Sequence, residues 1–130
     1  MCGVGGILYK KIGSTGKAPI GANLVKMLES MTHRGKDSSG FTIAGEEIDG
    51  DLIIRIWTAT VDPAADVLSR VQDTVQEVGG VVTAHSTWGQ FLRLTANYEG
   101  DLPALAEALL NTQGVALHSI GETSEVIKDT

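Results

Sequence analysis

The feature that most constrains the fold is a switch between two hydrophobic periods, repeated between residues 51 and 120. Leu52, Ile54 and Ile56 alternate with Ile53, Arg55 and Trp57, which predicts a strand. Residues 65–78 carry Val and Leu on one helical face, and a second helix is predicted from a cap at Asp101 to about Leu110. Short apolar segments at 81–84, 91–96 and 115–120 predict three more strands.

The predicted order is therefore strand, helix, strand, strand, helix, strand. This order is that of the ferredoxin-like βαββαβ fold, in which two helices cover one face of a four-stranded antiparallel sheet. Gly79-Gly80 is expected to end the first helix, and Trp88-Gly89-Gln90 is expected to turn the chain between the middle strands. We expect an α+β protein with a ferredoxin-like domain at residues 51–130.

The first fifty residues have a different pattern and are expected to form a separate segment, 1–50. The apolar, Gly-rich residues 2–9 predict a strand. Apolar residues at helical spacing predict a helix over about 20–33, with Arg34 in its last turn and Gly35 just past its end. Residues 41–44 predict a second strand.

Composition excludes several classes of function. A net charge of −6 argues against a nucleic-acid partner, which needs clustered Lys and Arg. No apolar run approaches the roughly 20 residues of a membrane span, and no secretion signal is recognisable. A single cysteine cannot form an internal disulfide, so we expect a cytoplasmic protein. The three histidines lack metal-ligand spacing, and we expect neither a metal nor a cofactor.

Cys2 follows the initiator methionine and is a candidate nucleophile. Removal of Met1 would leave a thiol and a free α-amine on one residue, with reference pKa values of about 8.5 and about 8. The amine can then accept the thiol proton without a separate histidine, an arrangement known in enzymes with N-terminal nucleophiles. Position alone does not separate this role from that of a small apolar residue.

Two motifs around this position carry a family resemblance. Cys2-Gly3-Val4-Gly5-Gly6-Ile7 and, after one predicted helix, His33-Arg34-Gly35-Lys36-Asp37-Ser38-Ser39-Gly40-Phe41 occur in order and at a suitable spacing. Together they resemble the class II (N-terminal nucleophile) glutamine amidotransferases over residues 1–45. Residues 110–130 resemble, more loosely, the amidotransferase subunits related to glutamate synthase.

The resemblance implies a fold, a reaction and a partner. Residues 1–50 would begin an Ntn-hydrolase-type sandwich, with Cys2 as the catalytic residue and Arg34 and Gly35 beside it in the substrate-binding site. Glutamine would be the substrate, hydrolysed to glutamate and ammonia. The ammonia would pass to a glutamate-synthase-like subunit, whose flavin and iron–sulfur centres this chain would not bind. Assembly into a homo-oligomer stays open.

Other features of the family's active site are missing from this sequence. There is no Asn-Gly dipeptide to form the oxyanion hole, and Thr87 stands where the glutamine-binding Arg would be expected in the run Ala84–Gly89. The later Asp that holds the substrate amine has no counterpart either. Because an oxyanion hole supplies several kcal/mol of barrier lowering, we expect this chain to be an incomplete part of a longer amidotransferase.

Two alternatives to a glutaminase remain. The chain could be a non-catalytic ferredoxin-like binding or assembly module fused to a truncated amidotransferase N-terminus. It could also be another N-terminal-nucleophile amidase with a different substrate, which the Arg-Gly-Lys-Asp motif at 34–37 disfavours.

Overall fold

The computed structural model describes residues 3–9, 19–34, 38–45, 52–59 and 65–129. Internal contacts divide the chain into two compact units, Met1–Ser39 with Asp129–Thr130, and Gly40–Lys128. The predicted boundary at residue 50 lies outside the described residues and stays a prediction. Within these described ranges, three α-helices and two small antiparallel sheets confirm the expected α+β class.

In the first unit, the helix predicted for residues 20–33 is confirmed. Helix α1 spans Ile20–Met31 and continues into a single 3₁₀ turn, Thr32–Arg34, so that Arg34 lies at the helical end as expected. The helix begins after Pro19, whose carbonyl accepts a hydrogen bond from the Asn23 amide at 3.1 Å.

The strand predicted for residues 2–9 is wrong for the described residues 3–9, which belong to no strand. Glycines at positions 3, 5 and 6 carry no side chain to pack in a sheet, and they lower the tendency to form a strand. The segment lies against α1 instead, where the missing side chains allow a close approach.

The other elements follow the expected order. They are β1 (Ser39–Ala44), β2 (Leu52–Thr58), α2 (Ala65–Glu77), β3 (Val81–Trp88), β4 (Phe91–Asn97), α3 (Leu102–Leu110), β5 (Val115–Gly121) and β6 (Ser124–Asp129). Each element predicted between residues 52 and 120 is present, with β3 extending four residues beyond the predicted end. Strand β6 was not expected.

The larger sheet has the order β3-β4-β2-β5, and each neighbouring pair of strands is antiparallel. Strands β1 and β6 form the second, two-stranded sheet. The larger sheet therefore has β3 and β5 as its two edges.

Helices α2 and α3 share one hydrophobic core with the larger sheet. In the register of β2 and β4, Ile54 lies opposite Leu94 and Ile56 opposite Leu92, and all four side chains are fully buried. The helices contribute Val71 and Val75 from α2 and Leu105 and Leu109 from α3 to the same cluster. Because side chains alternate across a strand, the residues between these positions face the other side of the sheet.

Local signals set the ends of the helices. Gly79 adopts a φ of 92° and donates to the Gln76 carbonyl at 2.9 Å, while Gly80 donates to the Val75 carbonyl at 2.8 Å. This pair of hydrogen bonds is the Schellman ending that the sequence predicts. Helix α3 begins as predicted, since the Asp101 carboxylate accepts from the Ala104 amide at 3.2 Å. The cap expected for α2 at Asp62-Pro63 lies outside the described residues.

A search of the described helices for membrane spans finds none long and apolar enough to cross a bilayer.

Candidate functional site

The predicted nucleophile, Cys2, and the predicted site residue Gly35 both lie outside the described residues. Their chain neighbours, Gly3 and Arg34, are described and lie close together.

Residues 3–9 run alongside α1, with their later residues near the start of the helix. The Asn23 side-chain amide donates a hydrogen bond to the Tyr9 hydroxyl. Further along the helix, a Cβ built at Gly5 would lie 2.9 Å from the Met27 methyl carbon and 3.4 Å from the Met31 sulfur. A side chain at position 5 would therefore have to displace the flexible ends of these methionine side chains.

Gly3, the first residue of the segment, lies against Arg34. A Cβ at Gly3 would be 3.1 Å from the Arg34 Cβ, 3.4 Å from its Cγ and 3.6 Å from the Met31 sulfur. The contact involves the part of the arginine nearest its backbone, so Arg34 cannot give way as the far end of a flexible chain could. Arg34 is otherwise exposed.

The arrangement places the first part of the Arg34 side chain, its Cβ and Cγ, against the chain neighbour of Cys2. A guanidinium stays protonated at every physiological pH and offers planar donors that suit a carboxylate. The residues that contact the segment are Met27, Met31 and Arg34, which are three or four positions apart and so lie on one side of the helical turn sequence. This spacing places Gly5 beside Met27 and Gly3 beside Arg34. The sequence motifs separated by one helix are thus neighbours in space at Gly3 and Arg34.

A second charged cluster, which sequence reasoning missed, lies on the sheet face opposite the core. Arg55 on β2 and Arg93 on β4 are direct cross-strand partners. Glu125 on β6 accepts from the Arg55 Nε and, in three contacts of 3.1 to 3.3 Å, from the Arg93 guanidinium. The three side chains are only 20–27% exposed.

This cluster lowers the pKa of Glu125 below its ordinary value. Partial burial acts in the opposite direction and raises the pKa, but the hydrogen bonds and positive charges of Arg93 and Arg55 outweigh it. Two arginines directly opposite each other would repel, and Glu125 offsets that repulsion. Among the described residues, these three side chains form a structural ion-pair network that links β6 to the larger sheet. The only sequence signal for it is Arg55 at the centre of an apolar strand.

No group of three or more His, Cys, Asp or Glu side chains that could hold a metal occurs in the described part of the chain. Thr87, at the position compared with the family's glutamine-binding Arg, is exposed on β3 and pairs with Leu92. The His118 ring packs edge-on against Phe91, with the ring centroids 5.8 Å apart.

Comparison with known proteins gives one informative similarity. The chain is 28% identical over 137 aligned residues to a protein described as "Putative glutamine amidotransferase" from Methanothermobacter thermautotrophicus. The alignment covers 99% of this chain but 43% of that protein, so the chain spans less than half the length of the curated relative it matches. No family model and no solved structure matches the chain. Across its whole length, the chain is a distant homologue of that archaeal protein.

Proposed function

We propose that this chain is the nucleophile-bearing part of a glutamine amidotransferase, with Cys2 hydrolysing glutamine to glutamate and ammonia. The distant homology along the whole chain and the two motifs at 2–7 and 33–41 support this assignment. The observation that carries it is the close approach of Gly3 to Arg34, which makes these two motifs neighbours in space.

In the proposed mechanism the α-amine of Cys2, freed by removal of Met1, takes the proton of the thiol. The thiolate attacks the side-chain carboxamide carbon of glutamine and forms a tetrahedral intermediate. The ammonium group returns its proton to the leaving nitrogen as the C–N bond breaks, so that ammonia departs and a thioester remains. Water, deprotonated by the amine, then attacks the thioester, and glutamate and the free thiol are released.

We assign Arg34 to the substrate-binding side of this site, together with Gly35. Its Cβ and Cγ lie against Gly3, and the guanidinium beyond them would attract the carboxylate of glutamine or hold the backbone around Cys2 in place. The oxyanion hole and the remaining substrate contacts would come from chain that corresponds to the rest of the longer relative. The ammonia would serve a synthase partner of the glutamate-synthase type.

A glutamine-mimicking electrophile, diazo-oxo-norleucine, tests the proposal on the full chain. Intact mass is expected to show one adduct on the wild-type protein, mapped to Cys2 and absent from Cys2→Ala. Arg34→Ala is expected to slow labelling about tenfold or more, since loss of a positioning charge costs of the order of 1.4 kcal/mol or more. The control Arg70→Ala removes a half-buried helical arginine that pairs with Asp66, and it should label as the wild type does. Absence of any Cys2 adduct would overturn the proposal.

The topology of residues 52–121 supports a second candidate function, that of a ferredoxin-like binding or assembly module. The order β3-β4-β2-β5, with antiparallel neighbours and both helices in one core, is the arrangement expected for that fold. A module without catalysis would retain Met1 or leave Cys2 unlabelled while keeping the same fold. The labelling experiment therefore separates the two candidates.

A further inference from the structure

We propose that β3 is a pairing edge through which two copies of this chain form a continuous sheet across a two-fold axis. Strand β3 is an edge of the larger sheet, and seven of its eight residues are exposed. In contrast, all seven residues of the opposite edge, β5, are half-buried, and the Val126 amide of β6 donates to the Ser119 hydroxyl at 3.0 Å. The two edges are thus protected to very different extents.

The β3 edge lacks the charged side chains and prolines by which proteins prevent strands from pairing. Residues 78–92 contain no Asp, Glu, Lys or Arg, although the chain as a whole has 26 charged side chains of these types, 10 basic and 16 acidic. Edge strands are ordinarily protected by charged side chains, prolines or short length. The one protective feature in β3 is an irregularity between Val82 and Ala84, which leaves Ala84–Trp88 as a regular strand.

The side chains of this regular part favour a second copy as the occupant. Ala84, Ser86 and Trp88 lie opposite Thr95, Arg93 and Phe91 of β4, so they share the face away from the core. Antiparallel self-pairing centred on Ser86 places Trp88 of one copy opposite Ala84 of the other. The large ring, 83% exposed in the single chain, is then beside the smallest side chain of the strand.

Charge also favours this pairing over contacts elsewhere on the surface. Each copy carries a net charge of −6, so most contacts between two copies bring like charges together. The uncharged edge avoids that repulsion. A pairing of five residues on each strand is a small interface, so we expect a weak dimer with a dissociation constant of about 1 µM to 1 mM.

Sedimentation velocity of the full chain over a range of concentrations tests the proposal. The wild type is expected to shift from monomer to dimer as concentration rises. Ser86→Lys places two like charges at the axis and should remain monomeric with an unchanged circular-dichroism spectrum. The matched control Ser69→Lys introduces the same charge on an exposed face of α2 and should dimerise as the wild type does.

A cross-linking experiment tests the register itself. Residues directly opposite in antiparallel strands have Cα atoms about 4.5–5.5 Å apart, within the range that a disulfide spans. In a Cys2→Ser background, Ser86→Cys should form a disulfide-linked dimer with oxidised glutathione much faster than Ser69→Cys. A wild type that stays monomeric throughout, Ser86→Lys that still dimerises, or equal cross-linking at positions 86 and 69 would overturn the proposal.

Discussion

Gly3 and Arg34 are in such close contact that a Cβ at Gly3 would lie 3.1 Å from the Cβ of Arg34. The contact joins the residue after the proposed nucleophile to the arginine of the second motif. It depends on Gly3 having no side chain, because a separation this short requires one of the neighbours to move. The relationship therefore makes Gly3 and Arg34 the most direct targets for mutation.

Gly3→Ala is expected to slow the labelling of Cys2 by diazo-oxo-norleucine about tenfold or more. The added methyl group must displace either Arg34 or the backbone next to Cys2 by a few tenths of an ångström, and reaction rates fall steeply when a reacting group leaves its productive geometry. Gly6→Ala is the matched control, since a Cβ there meets nothing within 4 Å. Equal labelling rates for the two variants would show that the approach at Gly3 has no role in the site.

Glu125→Gln is expected to lower the free energy of unfolding by about 1–2 kcal/mol at pH 7. The change leaves Arg55 and Arg93 opposite each other without a counter-charge. Because the three side chains are partly buried, the free-energy cost should lie between that of breaking an exposed ion pair and that of breaking a fully buried one. Urea unfolding followed by circular dichroism measures the difference. The control Glu122→Gln removes an exposed carboxylate from the preceding turn and should change the unfolding free energy by less than about 0.5 kcal/mol.

The difference in unfolding free energy between the wild type and Glu125→Gln is expected to depend on pH. The folded-state pKa of Glu125 is lowered from its ordinary 4.5, so its ionised form contributes stability that is fully present above that pH. This contribution is lost as the pH falls through the lower folded-state pKa. The difference between wild type and Glu125→Gln should therefore shrink below pH 4.5, and a difference that grew on acidification would contradict the ion-pair assignment.

Gly80→Ala is expected to destabilise the larger sheet unit by about 1–3 kcal/mol. A Cβ there would lie 2.8 Å from a Val75 methyl carbon and 3.2 and 3.3 Å from the backbone oxygens of Val75 and Asn97, which cannot move freely. Gly21→Ala, in α1, meets nothing within 4 Å and should be neutral or slightly stabilising. Thermal unfolding of both variants checks the contrast, and two equal midpoints would refute it.

Asp101→Ala is expected to cost about 1 kcal/mol, because the first turn of α3 loses the acceptor for the Ala104 amide. Asp101→Asn keeps a side-chain oxygen at the cap and should retain most of the stability. Chemical denaturation distinguishes the two, and a loss in the Asn variant as large as in the Ala variant would assign the effect to charge.

Most of the larger unit could be predicted because its elements carry local signals. The alternation in β2, the Gly79-Gly80 ending and the Asp101 cap each act within a few residues. Strand β3 was predicted to end at Ala84 because the residues after it, as part of an edge exposed on both faces, show no hydrophobic alternation. The strand continues to Trp88 because it pairs with β4, and this pairing cannot be recognised from the local sequence of β3.

The contacts that could not be predicted join residues far apart in the sequence. Glu125 is separated from Arg55 by 70 residues and lies on β6, whose mixed polar sequence gives no strand signal. For the candidate site, the motifs identified Arg34 and the glycines, whereas the contact between Gly3 and Arg34 requires the path of residues 3–9 along α1. A strand was expected at residues 3–9 because the segment is apolar. The sequence alone does not show whether another strand lies beside this segment to pair with it.

In the proposed site Cys2, with Met1 removed, carries its own base. The most direct measurement is the mass of the N-terminal peptide of the protein from its native host, before and after treatment with diazo-oxo-norleucine. We expect a peptide that begins at Cys2 with an unmodified amine and gains a single adduct on the thiol. A peptide that still begins with Met1, or one whose amine is blocked, would contradict this expectation.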